Sequence, residues 1–99
     1  VFDSILEYER WMQLKMFERA GEITGLTRQV PFPLIPSQKK DVANGYMRTE
    51  YPTKYIADFV YVDKSGRMIV EDAKGRPTPD YVIKRKLMRF IHGIEITEV

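Results

Sequence analysis

Two β-rich stretches, residues 54–63 (Lys-Tyr-Ile-Ala-Asp-Phe-Val-Tyr-Val-Asp) and 67–74 (Arg-Met-Ile-Val-Glu-Asp-Ala-Lys), are separated only by Lys64-Ser65-Gly66. A three-residue loop with glycine at its left-handed position closes a β-hairpin. The loop length also decides which residues face each other. Asp63 then pairs with Arg67, Val62 with Met68, Val60 with Val70 and Asp58 with Asp72. Side chains alternate faces along a strand. Ile56, Asp58, Val60 and Val62 therefore share one face with Met68, Val70, Asp72 and Lys74.

That face is apolar until it ends in two opposed aspartates, with Lys74 one step further on the same side. Cβ atoms of opposed residues sit about 5 Å apart, and like charges there destabilise a sheet. A carboxylate pair at the edge of an apolar face needs cationic compensation. Lys74 supplies one charge, and a divalent cation is the natural remainder. The competing arrangement is an exposed pair at a strand end, bridged by Lys74. Glu71 has the opposite parity, opposite Phe59, and is expected away from the Asp58 site unless a bulge interrupts the strand.

The rest of the chain arranges itself around this hairpin. Ser4 and Glu7 form an S-x-x-E capping box that opens a helix over residues 4–20, with Gly21 stopping it. Its apolar face is wide, and Trp11 and the methionines read as core. Residues 26–36 alternate as a strand, and their three prolines place it at an edge or on a curve. Residues 37–52 are turn-rich, with Asn44-Gly45 a tight turn, and are expected to carry a small hairpin and substrate contacts. Gly75-Arg76-Pro77 breaks the chain, and Thr78-Pro79 starts a helix running to residue 91. Residues 94–98 alternate as a last strand. The expectation is one α/β domain over residues 1–99, a central mixed sheet flanked by helices.

Composition narrows the chemistry. There are no cysteines and His92 is the sole histidine, so disulfides, thiolate zinc sites and imidazole-rich metal sites are excluded. Side-chain metal ligands must be carboxylates or amides, which suit Mg²⁺ or Mn²⁺. No apolar run is long enough for a membrane span and no signal-peptide pattern is visible. The chain begins with valine, so a natural start upstream is expected to be missing, and a cytoplasmic protein is the default expectation. His92, near a helix C-terminus, reads as a dipole-compatible surface residue.

Net charge is only +2, but residues 74–89 hold six basic side chains (Lys74, Arg76, Lys84, Arg85, Lys86, Arg89) against Asp80. Acids crowd the first helix and the C-terminal tail instead. This asymmetry suits an anionic partner on one side. On charge alone, a solvated helix face is the simpler reading.

Tyr55-Ile-Ala-Asp-Phe-Val, a turn, then Ile69-Val-Glu-Asp-Ala-Lys-Gly75 resembles the D-x(n)-(D/E)-x-K signature of the PD-(D/E)xK nuclease superfamily. Asp58 matches the first acid, Asp72 the second and Lys74 the lysine. Phe2-Asp3-Ser4 with Leu6-Glu7, Ala20-Gly-Glu-Ile, Gln29 before Pro31, and Lys84-Arg-Lys-Leu resemble one branch in particular, short phage-encoded endonuclease- or resolvase-like proteins formerly of unknown function. The likeness spans nearly the whole chain and implies an αβββαβ restriction-endonuclease-like core. Aspartate at position 72, where many relatives carry glutamate, shortens that ligand's reach.

The resemblance implies a metal-dependent DNA endonuclease, acting on branched or flap DNA in phage replication or recombination within the bacterial host. Asp58 and Asp72 would ligate Mg²⁺ or Mn²⁺ with the Ala73 carbonyl, and Lys74 would orient water or stabilise charge on phosphate. Glu7 matches the superfamily's first-helix acid; it also reads as the closing residue of the capping box. Gln29 is either a water or phosphate contact or a plain edge-strand glutamine. Lys84 either faces the site or is solvated. Arg76, Arg85, Lys86 and Arg89 are candidate DNA-backbone contacts. Paired cuts imply a homodimer. The alternatives are a catalytically silent DNA-binding or replisome-interaction module of the same fold, and a metal-stabilised structural protein.

Overall fold

The computed structural model describes residues 1–42, 45–73 and 77–99. Helix α1 (Ile5–Arg19) leads into β1 (Ile23–Ile35), a hairpin of β2 (Gln38–Asp41) and β3 (Met47–Glu50), then β4 (Thr53–Asp63) and β5 (Met68–Asp72). Helix α2 (Pro79–Leu87), a π-helical turn over Met88–His92 and the short β6 (Thr97–Glu98) complete the chain. β1, β4, β5 and β6 form one sheet in that order, antiparallel except for the parallel β5–β6 pair. The result is an α/β architecture on a central mixed sheet.

Local chemistry accounts for most boundaries. Ser4 Oγ accepts from the Glu7 backbone N–H at 3.1 Å, capping α1. Gly21 follows with φ +79, and Glu22 N–H reaches back to the Phe17 carbonyl. Thr78 caps α2 through the Tyr81 N–H at 3.2 Å. Gly66 takes φ +84 in the β4–β5 turn, where a Cβ is disfavoured. β1 is an edge strand, which is where its prolines are tolerated. Residues 37–52 carry the expected small hairpin, all eight of whose strand residues are exposed. The Asn44 part of its turn lies outside the described residues.

The sheet separates two apolar clusters. Trp11 and Leu14 of α1 pack with Phe59, Tyr61 and Ile69, the Trp11 and Phe59 rings stacking at 5.9 Å. Tyr81 and Met88 pack with Leu34, Tyr55, Ala57, Val70 and Ile96 in the other. The β4–β5 register is the one expected: Val62 opposes Met68, Val60 opposes Val70 and Phe59 opposes Glu71.

Four expectations need correction. Ile56 does not continue the buried face; it is 44% exposed, and Tyr55 and Ala57 take that place. The alternation shifts at Asp58, because Tyr55 and Ala57 join one cluster while Phe59 and Tyr61, of equal parity, join the other. Secondly, α1 buries little of its apolar face, and Ile5, Tyr8, Met12 and Met16 are exposed. Glu7 and Arg10 occupy part of its contact with the sheet. Met88 is the one buried methionine; Met47 and Met68 are exposed too. Thirdly, the final strand shrinks to two residues, since only Glu71 and Asp72 remain to pair with it. Ile94 and Ile96 still pack into the core, so their alternation reports burial rather than a ladder. Lastly, the second helix ends as α at Leu87, its last residues forming the π-helical turn that Gly93 closes at φ +66. Among the described residues, no helix is long and apolar enough to cross a membrane.

Phe59 is fully buried and Phe90 is 88% exposed. Phe59→Ala is expected to lower unfolding free energy by about 3–5 kcal/mol, and Phe90→Ala to change it by no more than about 0.5 kcal/mol. Urea denaturation of both variants checks this.

Candidate active site

Asp58 stands where the alternation shifts. Arg28 opposes Phe59 and Val30 opposes Ala57, so Gln29 lies across from Asp58. Gln29 has φ +52, the one non-glycine residue in the left-handed region among those described. Such a conformation costs about 1–3 kcal/mol and persists where the surroundings enforce it. Here the Gln29 amide Nε2 reaches Glu7 Oε2 at 3.4 Å.

Glu7 enters from α1 and is only 3% exposed. Ser4 caps the helix through the Glu7 backbone N–H, while the Glu7 carboxylate turns inward, as its strip with Trp11 and Leu14 implies. Arg28 lies 3.8 Å away, its guanidinium 3.7 Å from the centre of the Phe2 ring. Burial holds the Glu7 carboxyl above its ordinary value, with Asp58 and Asp3 adding to the rise and Arg28 opposing it.

Asp58 and Asp72 close the site from β4 and β5. Asp58 Oδ2 accepts the Ala73 backbone N–H at 2.8 Å. Asp72 is 1% exposed, and its Oδ2 accepts the Tyr55 hydroxyl at 2.6 Å. Burial and then this bond push the Tyr55 phenol far above its usual range; Asp58 contributes as well. An exposed, solvated aspartate pair is thus not what forms. Lys74 lies outside the described residues, as do Gly75 and Arg76.

The donors present are all oxygens: Glu7, Asp58, Asp72 and the Ala73 carbonyl. Among the described residues no group of three or more acids is arranged so that it could by itself hold a metal ion. Mg²⁺ does not require one, since it commonly keeps several waters and binds one or two carboxylates plus substrate phosphate. The donor set fits an open site of that kind.

Glu71 keeps to the opposite face, as its parity requires. It is fully buried and receives Arg10 bidentately, Nε to Oε1 at 2.8 Å and Nη2 to Oε2 at 2.7 Å. Tyr61 donates its hydroxyl to the same carboxylate, and burial together with that bond raises the phenol to about 12. Arg10 is one turn from Glu7 and Glu71 adjoins Asp72, so this pair ties α1 to β5 beside the acids.

The basic residues disperse. Arg85 pairs with Glu98 at 2.8 Å and Arg89 with Glu95 at 2.9 Å, so both candidate DNA contacts already meet acids of the C-terminal segment. Lys86 forms no ion pair among the described residues, and Lys84 lines a cavity with Tyr55 and Tyr81. His92 is exposed, as expected, its Nε2 2.6 Å from the Pro33 carbonyl.

Tyr55, Arg28 and the Arg10–Glu71 pair were not among the sequence candidates. Tyr55 was hidden by the shifted alternation. Glu71 did carry a signal: an acid opposite a buried Phe59 needs a cation, and Arg10 lies near the inward strip of α1.

A family model described as a protein of unknown function (DUF1064) matches residues 1–95. The chain belongs to the DUF1064 family. No curated protein and no solved structure matches it significantly. For this DUF1064 protein the site therefore has to be read from its own geometry.

Two expectations follow for its stability. Arg10→Ala leaves the buried Glu71 carboxylate without its cation and should cost about 3–5 kcal/mol in urea unfolding. Glu7 behaves in the opposite sense. An acid with a raised folded pKa binds a proton on folding, so it costs stability as pH climbs through the window above its ordinary value of 4.5. Glu7→Gln should therefore be more stable than wild type at neutral pH, the gain fading as pH falls below that value. Melting temperatures across pH check the sign.

Proposed function

We propose that this chain is a metal-dependent DNA endonuclease of the PD-(D/E)xK type. The observation that carries the reading is the hairpin end, where Asp58 accepts the Ala73 N–H and the buried Asp72 accepts the Tyr55 hydroxyl, while the buried Glu7 of α1 meets Gln29, the residue across from Asp58. Acids held at the edge of an apolar core are costly, and a hard dication would relieve them. The element order supports the reading: with the β2–β3 hairpin taken as an insertion, α1, β1, β4, β5, α2 and β6 follow the superfamily's αβββαβ sequence.

Asp58 and Asp72 would hold Mg²⁺ or Mn²⁺, with the Ala73 carbonyl beside them. The ion, when bound, supplies Lewis-acid stabilisation of charge on the scissile phosphate. Tyr55 fixes the Asp72 carboxylate through one oxygen, leaving its orientation set before substrate arrives. Gln29 and Arg28 hold Glu7 in place. The role of Lys74, next but one after Asp72, is to orient water or meet charge building on phosphate. The substrate in this reading is DNA, branched or flapped, cut by a homodimer in the cytoplasm of a phage-infected cell.

A second reading is a DNA-binding module that has kept the fold without activity. It draws on Asp58 Oδ2 and Asp72 Oδ2 both being occupied by protein donors.

Incubation with plasmid, junction, flap and linear duplex DNA in Mg²⁺ or Mn²⁺ separates the two. Cleavage should appear with either ion and fall by at least about 10²-fold in Asp58→Ala and in Lys74→Ala, while Asp58→Ala still retains DNA. Binding without cleavage under every ion and substrate would favour the silent module.

A further inference from the structure

A cavity of about 320 Å³ opens beside the Tyr55–Asp72 bond, at the small end of the range for ligand clefts. Lys54 of β4 lines one wall; Thr78, Asp80, Tyr81 and Lys84 of the α2 start line another. Two lysines from different elements thus line one space. Neither is in an ion pair among the described residues. Asp80 and Lys84 have the i, i+4 spacing that favours a helical ion pair, yet they do not form one. Among the described lining residues two side chains carry positive charge and one negative, and the carboxylates behind the wall, Asp72 and Glu98, accept the Tyr55 and Tyr81 hydroxyls. The N-terminus of α2, nine residues long, adds its partial positive charge to the same side.

We propose that this cavity is a phosphate subsite: Lys54 and Lys84 together hold one backbone phosphate of the DNA strand whose neighbouring bond lies at the acid pair. The identity of the ligand as DNA rests on the nuclease reading above. The geometry of the subsite rests on its own residues. An anion between the two lysines would be held by both, as a dication would be held by the acids next door. The Tyr55 hydroxyl, donated to Asp72, is the wall between the two. A strand held this way crosses from an anion-binding cavity onto a cation-binding one. The arrangement would fix register along the strand without reading bases.

The test is DNA binding by a short fluorescein-labelled strand in EDTA, followed by anisotropy across a salt series, so that cleavage plays no part. Lys54→Ala, Lys84→Ala and the double variant are compared with Lys64→Ala, which removes an exposed lysine of the β4–β5 turn. The double variant should bind at least about tenfold more weakly and lower the slope of log K against log salt by about one, because a single phosphate is lost. The two substitutions should be non-additive, as partners on one group are. Asp80→Asn should tighten binding.

A slope lowered by about two, with additive losses, means two separate phosphate contacts and overturns the shared subsite. Double-variant binding equal to Lys64→Ala overturns it as well. Wild-type cleavage alongside either result leaves the nuclease reading standing without the subsite. The expected binding losses in a protein that never cuts DNA leave the subsite standing and remove the nuclease.

Discussion

The pairing of β4 with β5 is the constraint on which everything else depends. One residue of slip would carry Glu71 to the Tyr55 side and Asp72 to the Arg10 side, separating both acids from their partners. The register is held at one end by the tight Lys64-Ser65-Gly66 turn. Asp63 reinforces that turn, its Oδ1 accepting from the Ser65 and Arg67 backbones at 2.9 and 3.0 Å. Along the ladder, Val60 and Val70 oppose each other with Phe59 and Tyr61 on the reverse face. Apolar contacts thus specify the alignment, and the carboxylates at the far end inherit it.

Three acids, Glu7, Glu71 and Asp72, are buried, and the means by which each is tolerated differ. Glu71 has a bidentate guanidinium and a phenol, a complete solution of a kind that packs helix to strand and asks nothing further. Glu7 has an amide at 3.4 Å and a guanidinium at 3.8 Å, both long, with another acid nearby, and its carboxyl stays raised. Asp72 has a tyrosine hydroxyl on one oxygen. Adjacent residues on β5 therefore point to opposite faces, Glu71 into a closed ion pair with Arg10 and Asp72 onto the Tyr55 hydroxyl. The contrast is what separates a stabilising charge from a functional candidate, and the strained backbone of Gln29 marks the same side.

The charge pattern along the chain reads differently in space. Residues 74–89 are rich in basic side chains and the tail beyond them carries Glu95 and Glu98, which suggests a cationic face. Folding brings Glu95 and Glu98 against Arg89 and Arg85, and that face is partly neutralised. Lys54 and Lys84, thirty positions apart, line one cavity and stand outside these pairs. The long β1–β4 ladder and the exposed β2–β3 hairpin make the molecule elongated, 61 × 28 × 20 Å, so surface charge is spread over a large area relative to a small core.

The sequence by itself determined the helix caps at Ser4 and Thr78, the glycine stops, the edge position of β1, the hairpin register and hence the opposite faces of Glu71 and Asp72. These are local matters: turn length, capping hydroxyls and period-two alternation act over a few residues, and local chemistry suffices to read them. Only the tertiary structure decided that the alternation of β4 shifts at Asp58, that Tyr55 reaches Asp72, that Arg10 meets Glu71 from sixty-one residues away and that most of α1's apolar face stays uncovered. Each of these depends on which elements lie across from one another. A strand's period says which side a residue faces, but a left-handed residue on the neighbouring strand and the contacts beneath a helix come from the packed whole.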